Sequence, residues 1–114
     1  MTDAKSKYVL CIEDEPDMIN LIRHILGRKG FKVRGATSGV DGLKMIHDDK
    51  PELILLDLMM PEVSGFEVIR TLRDDPATAD FPIIVLTAKV LEPGEQKMLA
   101  KSVNTVMMKD EWDE

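Results

Sequence analysis

The chain has 114 residues, enough for one domain with one core, and its 44% hydrophobic and 32% charged residues are those of an ordinary globular protein. A formal net charge of −6 and a pI near 4.9 argue against direct binding to nucleic acid or an anionic membrane, both of which need a basic footprint. No apolar run approaches the roughly 20 residues of a membrane span, and the N-terminal apolar run is too short for a signal peptide, so a cytoplasmic location is expected.

Tyr8 to Ile12 is a short, wholly apolar run and predicts the first strand. It contains Cys11, the only cysteine, which reads as a small core residue of a reducing compartment. Glu13, Asp14 and Glu15 follow at once. Met18, Leu21, Ile22 and Ile25 then recur at i, i+3, i+4 and i+7, a helical stripe that leaves Arg23, Arg28 and Lys29 to water, with Gly30 as its stop. Lys32 to Ala36 predicts the second strand. Ser38 is the expected N-cap of a second helix that turns Val40, Leu43 and Ile46 inward and ends near Pro51.

Leu53 to Leu56 predicts the third strand, which runs directly into Asp57. A third helix, from about Gly65 to Arg73, is expected to bury Phe66, Ile69 and Leu72. Ile83 to Leu86 predicts the fourth strand, ending at Thr87 and Ala88. Pro93 suits the first turn of a fourth helix that carries Met98, Leu99 and Val103 toward the sheet. Thr105 to Met108 predicts the fifth strand, ending at Lys109.

Strands alternate with helices throughout, and the first, third and fourth strands are apolar on both faces. Right-handed crossovers then make a doubly wound α/β fold around a five-stranded parallel sheet. In such sheets the functional site lies at the carboxyl ends of the strands. Four of the five strands deliver chemistry there: Glu13 and Asp14, Asp57, Thr87 and Lys109. Each has a bland reading alone. The acids suit the positive end of a helix, Thr87 a strand-end hydroxyl and Lys109 the surface. His24 and His47 are expected at the surface, and the eight methionines are expected in packing. Asp57 is harder to dismiss, because it lies between LILL and LMM, where uncompensated burial is costly.

Taken together, and in this order, the pieces are a specific signature. Glu13-Asp14, Asp57 with Met60-Pro61 and Ser64-Gly65 downstream, Thr87-Ala88 and Lys109 resemble the receiver domain of two-component response regulators over nearly the whole chain. The resemblance implies a flavodoxin-like strand order, 2-1-3-4-5. It also implies a phosphorelay function, in which Asp57 takes a phosphoryl group from the phosphohistidine of a sensor histidine kinase or a histidine phosphotransfer protein. Mg²⁺, or Mn²⁺ in its place, would be held by Asp14 and Asp57, by Glu13 directly or through water, and by the backbone carbonyl of Met59. Oxygen ligands of this kind suit a hard cation that keeps several waters. Clustered carboxylates raise one another's proton affinity, and the cation together with Lys109 reverses that effect so that Asp57 stays a nucleophile. The Thr87 hydroxyl and the Ala88 N–H would then bond the new phosphoryl oxygens and report them to a downstream effector protein or domain.

Three departures from the family pattern stand out. Asp110 follows the lysine where the family usually has proline, and Val106 occupies the strand-five position that often carries an aromatic switch residue. Only five residues follow Lys109, with Asp113 as the expected N-cap of a fifth helix that the family packs beside the first. Residues 1–114 are therefore expected to be a single receiver domain cut before its last helix, or one that covers the bare sheet face by forming a dimer.

Competing functions fit less well. A phosphatase of the haloacid dehalogenase class needs a second aspartate two residues after the nucleophile, where this chain has Met59. A flavin carrier needs a glycine- and hydroxyl-rich phosphate loop after strand one, where this chain has three acids. A pseudo-receiver, which binds proteins without phosphorylation, usually lacks the acceptor or the acid pair, and neither is missing here.

Overall fold

A computed structural model describes residues 7–88 and 90–111. Five strands, β1 (Val9–Ile12), β2 (Val33–Ala36), β3 (Leu53–Asp57), β4 (Ile83–Thr87) and β5 (Thr105–Met108), alternate with four helices. These are α1 (Pro16–Gly27), α2 (Gly39–Asp48), α3 (Gly65–Asp74) and α4 (Pro93–Ser102), with a 3₁₀ turn at Lys109–Glu111 closing the described chain. All neighbouring strands are parallel, in the order β2-β1-β3-β4-β5. This is the doubly wound sheet and strand order expected from the sequence. Asp113, the expected cap of a fifth helix, lies outside the described residues. No helix among the described residues is long and apolar enough to cross a membrane.

Alternation along the strands divides the core in two. Leu10, Ile12, Ile54, Leu56, Ile83 and Val85 face α2, α3 and α4, meeting Ile46, Val68, Ile69, Leu72 and Leu99. Val9, Cys11, Leu55 and Leu86 point the other way and pack with Ile19 and Ile22 of α1. β1, β3 and β4 thus pack on both faces, as expected of a parallel sheet, while β5 at the edge keeps Thr105 and Val106 exposed.

Helix orientation departs from the expected stripes in three places. In α1 the buried residues are Ile19 and Ile22, with Leu21 and Ile25 only half-buried. The helix carries apolar residues on overlapping stripes. Gly35 of β2 decides between them, because a Cβ there would lie 2.6 Å from Ile19 Cγ2. In α2, Gly42 faces the sheet so closely that a Cβ would lie 2.5 Å from Ile12 Cδ1, and Val40 is turned outward and exposed. In α4 only Leu99 is buried, and Met98 is exposed. Arg73 helps hold that helix, donating to the carbonyls of Ser102 (2.7 Å), Ala79 (2.8 Å) and Phe81 (2.9 Å).

Gly30 has φ 92, the left-handed conformation that ends the α1 segment and favours glycine. At α3 the start is set by a capping box. Ser64 Oγ accepts the Glu67 N–H (3.3 Å) while Glu67 Oε1 accepts the Ser64 N–H (3.2 Å). Ser64→Ala is therefore expected to lower stability by about 1 kcal/mol, read as a shift in the urea midpoint at unchanged slope.

Candidate functional site

Strand register brings the acidic and basic groups together. Ile12 pairs with Leu56, so Glu13 leaves β1 beside Asp57, the last residue of β3. Asp57 pairs with Leu86, which sets Thr87 one residue further along the same edge, and Thr87 pairs with Met108, the residue before Lys109. Glu13, Asp57 and Thr87 are each fully buried, an arrangement that needs compensation for two carboxyl groups. Asp14 is half-buried, while Met59 and Ala88 are exposed.

Lys109 supplies part of that compensation. Its Nζ donates to Glu13 Oε2 (3.0 Å) and to Glu15 Oε1 (3.0 Å) and lies 3.5 Å from Asp57 Oδ2. Glu13 Oε1 is also 3.0 Å from the ammonium, but out of line for a hydrogen bond. The Glu15 N–H donates to Glu13 Oε2 (3.2 Å), and the Met59 N–H donates to Asp57 Oδ1 (3.2 Å). Among the described residues, two buried oxygens, Glu13 Oε1 and Asp57 Oδ2, have no hydrogen-bond donor.

The electrostatics follow from this shortage of donors. Burial pushes the Glu13 carboxyl up to about 7; the Asp57 charge adds to that rise, against the pull of Lys109. Burial likewise raises Asp57, outweighing the Met59 N–H and the Lys109 charge. Burial alone would lower Lys109, but hydrogen bonds to Glu13 and Glu15 and the Asp57 charge hold it above its ordinary range. Carboxylate oxygens of Glu13, Asp14 and Asp57 lie within 4.8 Å of one another. With two oxygens lacking donors and an all-oxygen ligand set, these residues fit a hard divalent cation.

Gly65 fixes the acceptor's backbone. Its N–H donates to Leu58 O (3.1 Å), and a Cβ at this position would lie 2.4 Å from the Asp57 carbonyl oxygen and 2.7 Å from Leu58 Cα. Neither contact involves a flexible side chain. Gly65→Ala is expected to cost about 2 kcal/mol, measured by urea unfolding, because β3 or α3 must shift.

The structure brings Glu13, Asp14, Asp57 and Lys109 into one cluster, with Thr87 buried at the same edge. Lys109 reaches it with Asp110, not proline, as the next residue. Glu15 is the member that sequence reasoning left without a role. It stands 94 residues from Lys109 in the chain, and no local pattern signals the pair.

Fold and rim together define a class: a doubly wound α/β domain carrying an acidic, lysine-bridged site at its strand ends. The family model for the response regulator receiver domain matches residues 9–114, and the chain belongs to that family. It is 39% identical over 84 residues to the alkaline phosphatase synthesis transcriptional regulatory protein PhoP of Bacillus subtilis, covering 74% of this chain and 34% of that protein. The chain thus spans about a third of the length of PhoP and of other transcriptional regulators that it matches. Among solved structures, it is similar to the N-terminal domain of a response regulator receiver protein from Methanoculleus marisnigri JR1. That pair has 32% identity, a TM-score of 0.84, and coverage of 89% and 82% of the two chains. It is also similar to response regulator TrrA from Thermotoga maritima, solved in complex with Mg²⁺-BeF, at 27% identity and TM-score 0.78, covering 90% and 86%.

Proposed function

We propose that Asp57 accepts a phosphoryl group from the phosphohistidine of a sensor histidine kinase or histidine phosphotransfer protein in the cytoplasm, and that the resulting state acts on an effector protein or domain. The observation that carries this reading is the Asp57 carboxylate itself. It is fully buried at the rim, with Oδ1 held by the Met59 N–H and Oδ2 left without a donor 3.5 Å from Lys109. A buried anion with an unspent oxygen is costly for a purely structural role.

Glu13, Asp14 and Asp57, with the Met59 carbonyl, are the residues that would hold Mg²⁺. When bound, the ion supplies positive charge against the phosphoryl oxygens and keeps the carboxylates ionised. The complex of TrrA with Mg²⁺-BeF supports the assignment by family likeness. An Asp57 oxygen attacks phosphorus as the phosphorus–nitrogen bond of the donor breaks, and the bond pair leaves on the imidazole nitrogen. Lys109 moves its ammonium onto the equatorial oxygens, a short step from its present place. The Thr87 hydroxyl and the Ala88 N–H donate to the product's oxygens, which draws the segment after β4 toward the site. Val106, exposed on β5, offers no aromatic ring for the relay, so the output passes through the backbone after β4.

Acetyl phosphate with MgCl₂ is expected to add one phosphoryl group per chain, seen by intact mass and removed by hydroxylamine. No adduct under those conditions would sink the reading in favour of a pseudo-receiver.

A further inference from the structure

One carboxylate at the rim is not used by that function. Glu15 stands outside the group of carboxylates, Glu13, Asp14 and Asp57, that can converge on a cation. It is the N-cap residue of α1, yet its side chain makes no capping hydrogen bond. Instead Oε1 accepts from Lys109 Nζ at 3.0 Å, closer than Asp57 Oδ2 at 3.5 Å. The backbone N–H of Glu15 also donates to Glu13 Oε2, the other hydrogen-bond acceptor of the same ammonium. Glu15 therefore holds the lysine both directly and by orienting Glu13.

An ammonium has three donors. Two are spent on Glu13 and Glu15, while Asp57 receives only an ion-pair contact. The third is left for a phosphoryl oxygen on Asp57, but the ammonium stands 3.5 Å from that carboxylate, and moving inward to use it draws against the bonds to Glu13 and Glu15. Glu13 belongs to the cation-binding group and has that competing demand on its charge. Glu15 has none, and its side chain is 64% exposed. An exposed pair of this kind is weak and screened by salt, a restraint that releases readily.

Building on the phosphoacceptor reading, we propose that Glu15 is a positioning residue acting through Lys109: a competing partner that keeps the ammonium at the outer side of the rim and slows phosphoryl transfer until it releases. Its exposure means that the fold tolerates its replacement.

The test compares wild type with Glu15→Gln in acetyl phosphate reactions at saturating MgCl₂ and low ionic strength. Glu15→Gln should react about threefold faster, the scale of an exposed ion pair. The same substitution made on a Lys109→Met background should change nothing, because the partner is gone. A direct readout comes from the ¹⁵Nζ resonance of Lys109 in the metal-free protein, which should be sharper in wild type than in Glu15→Gln as loss of the pair speeds exchange with water. Equal rates in wild type and Glu15→Gln overturn the inference. So does a threefold gain that persists without Lys109, since removing any rim charge would then suffice, and so does an unchanged Nζ signal. In each of those cases the wild-type adduct still forms. Its absence would overturn the phosphoacceptor reading, a separate and recognisable result.

Discussion

Asp57→Asn is expected to abolish the hydroxylamine-labile phosphoryl adduct entirely and, in the metal-free protein, to raise stability by about 1–2 kcal/mol. The side chain keeps its shape and loses its nucleophilic charge. In the native rim that charge is fully buried, one of its oxygens has no donor, and burial raises its pKa. Removing it relieves desolvation and the repulsion with Glu13. The cost is a 3.5 Å ion pair, and Lys109 retains Glu13 and Glu15 as partners. A net gain follows if desolvation outweighs that pair, as burial of a charge without full hydrogen bonding generally does. Intact mass and urea unfolding read the two halves separately. An adduct on the asparagine variant would place the acceptor elsewhere, and a less stable variant would mean that the ion pair dominates.

Raising the pH from about 4.5 to about 7 should destabilise the metal-free protein by on the order of 3 kcal/mol through Glu13. In the folded chain its carboxyl is held up to about 7, against an ordinary 4.5. Between those values the folded protein keeps a proton that the unfolded chain has released, so stability falls as pH rises and levels off above 7. Asp57, also raised, tilts the curve in the same direction. Lys109 does not oppose this within the window, because its raised pKa gives stability that is fully present below its ordinary 10.5 and is lost only at higher pH. Saturating MgCl₂ should flatten the slope, since a cation bound to the ionised carboxylates stabilises the folded form most where they are deprotonated. Thermal unfolding across this range, with and without MgCl₂, checks both parts. Stability that rises with pH in the metal-free protein would show that Lys109 compensates Glu13 more fully than burial penalises it.

Much of this site was legible from residue order alone. Apolar runs too short for helices placed the strands, and the alternation of strand and helix dictated a parallel sheet, whose strand ends necessarily share an edge. Glu13, Asp57, Thr87 and Lys109 each follow or end a strand, so their convergence is a consequence of topology. Asp57 stood out for a local reason, an acid inside an apolar run, and it is indeed fully buried. The helix faces were less legible. Periodicity marks an apolar stripe but does not choose between overlapping ones, and in α1 and α2 that choice fell to Gly35 and Gly42, where the missing Cβ lets the helix side meet the sheet.

What the sequence by itself determined, then, was the order of elements and which strand ends share one edge, because these rest on local pattern and on the handedness of the chain. Only the tertiary structure decided how the single lysine is divided among Glu13, Glu15 and Asp57, which two carboxylate oxygens go without a donor, and how far the Glu13 pKa rises. Those properties depend on ångström-scale distances between residues up to 94 positions apart and on the exclusion of water from between them. No spacing along the chain encodes either quantity.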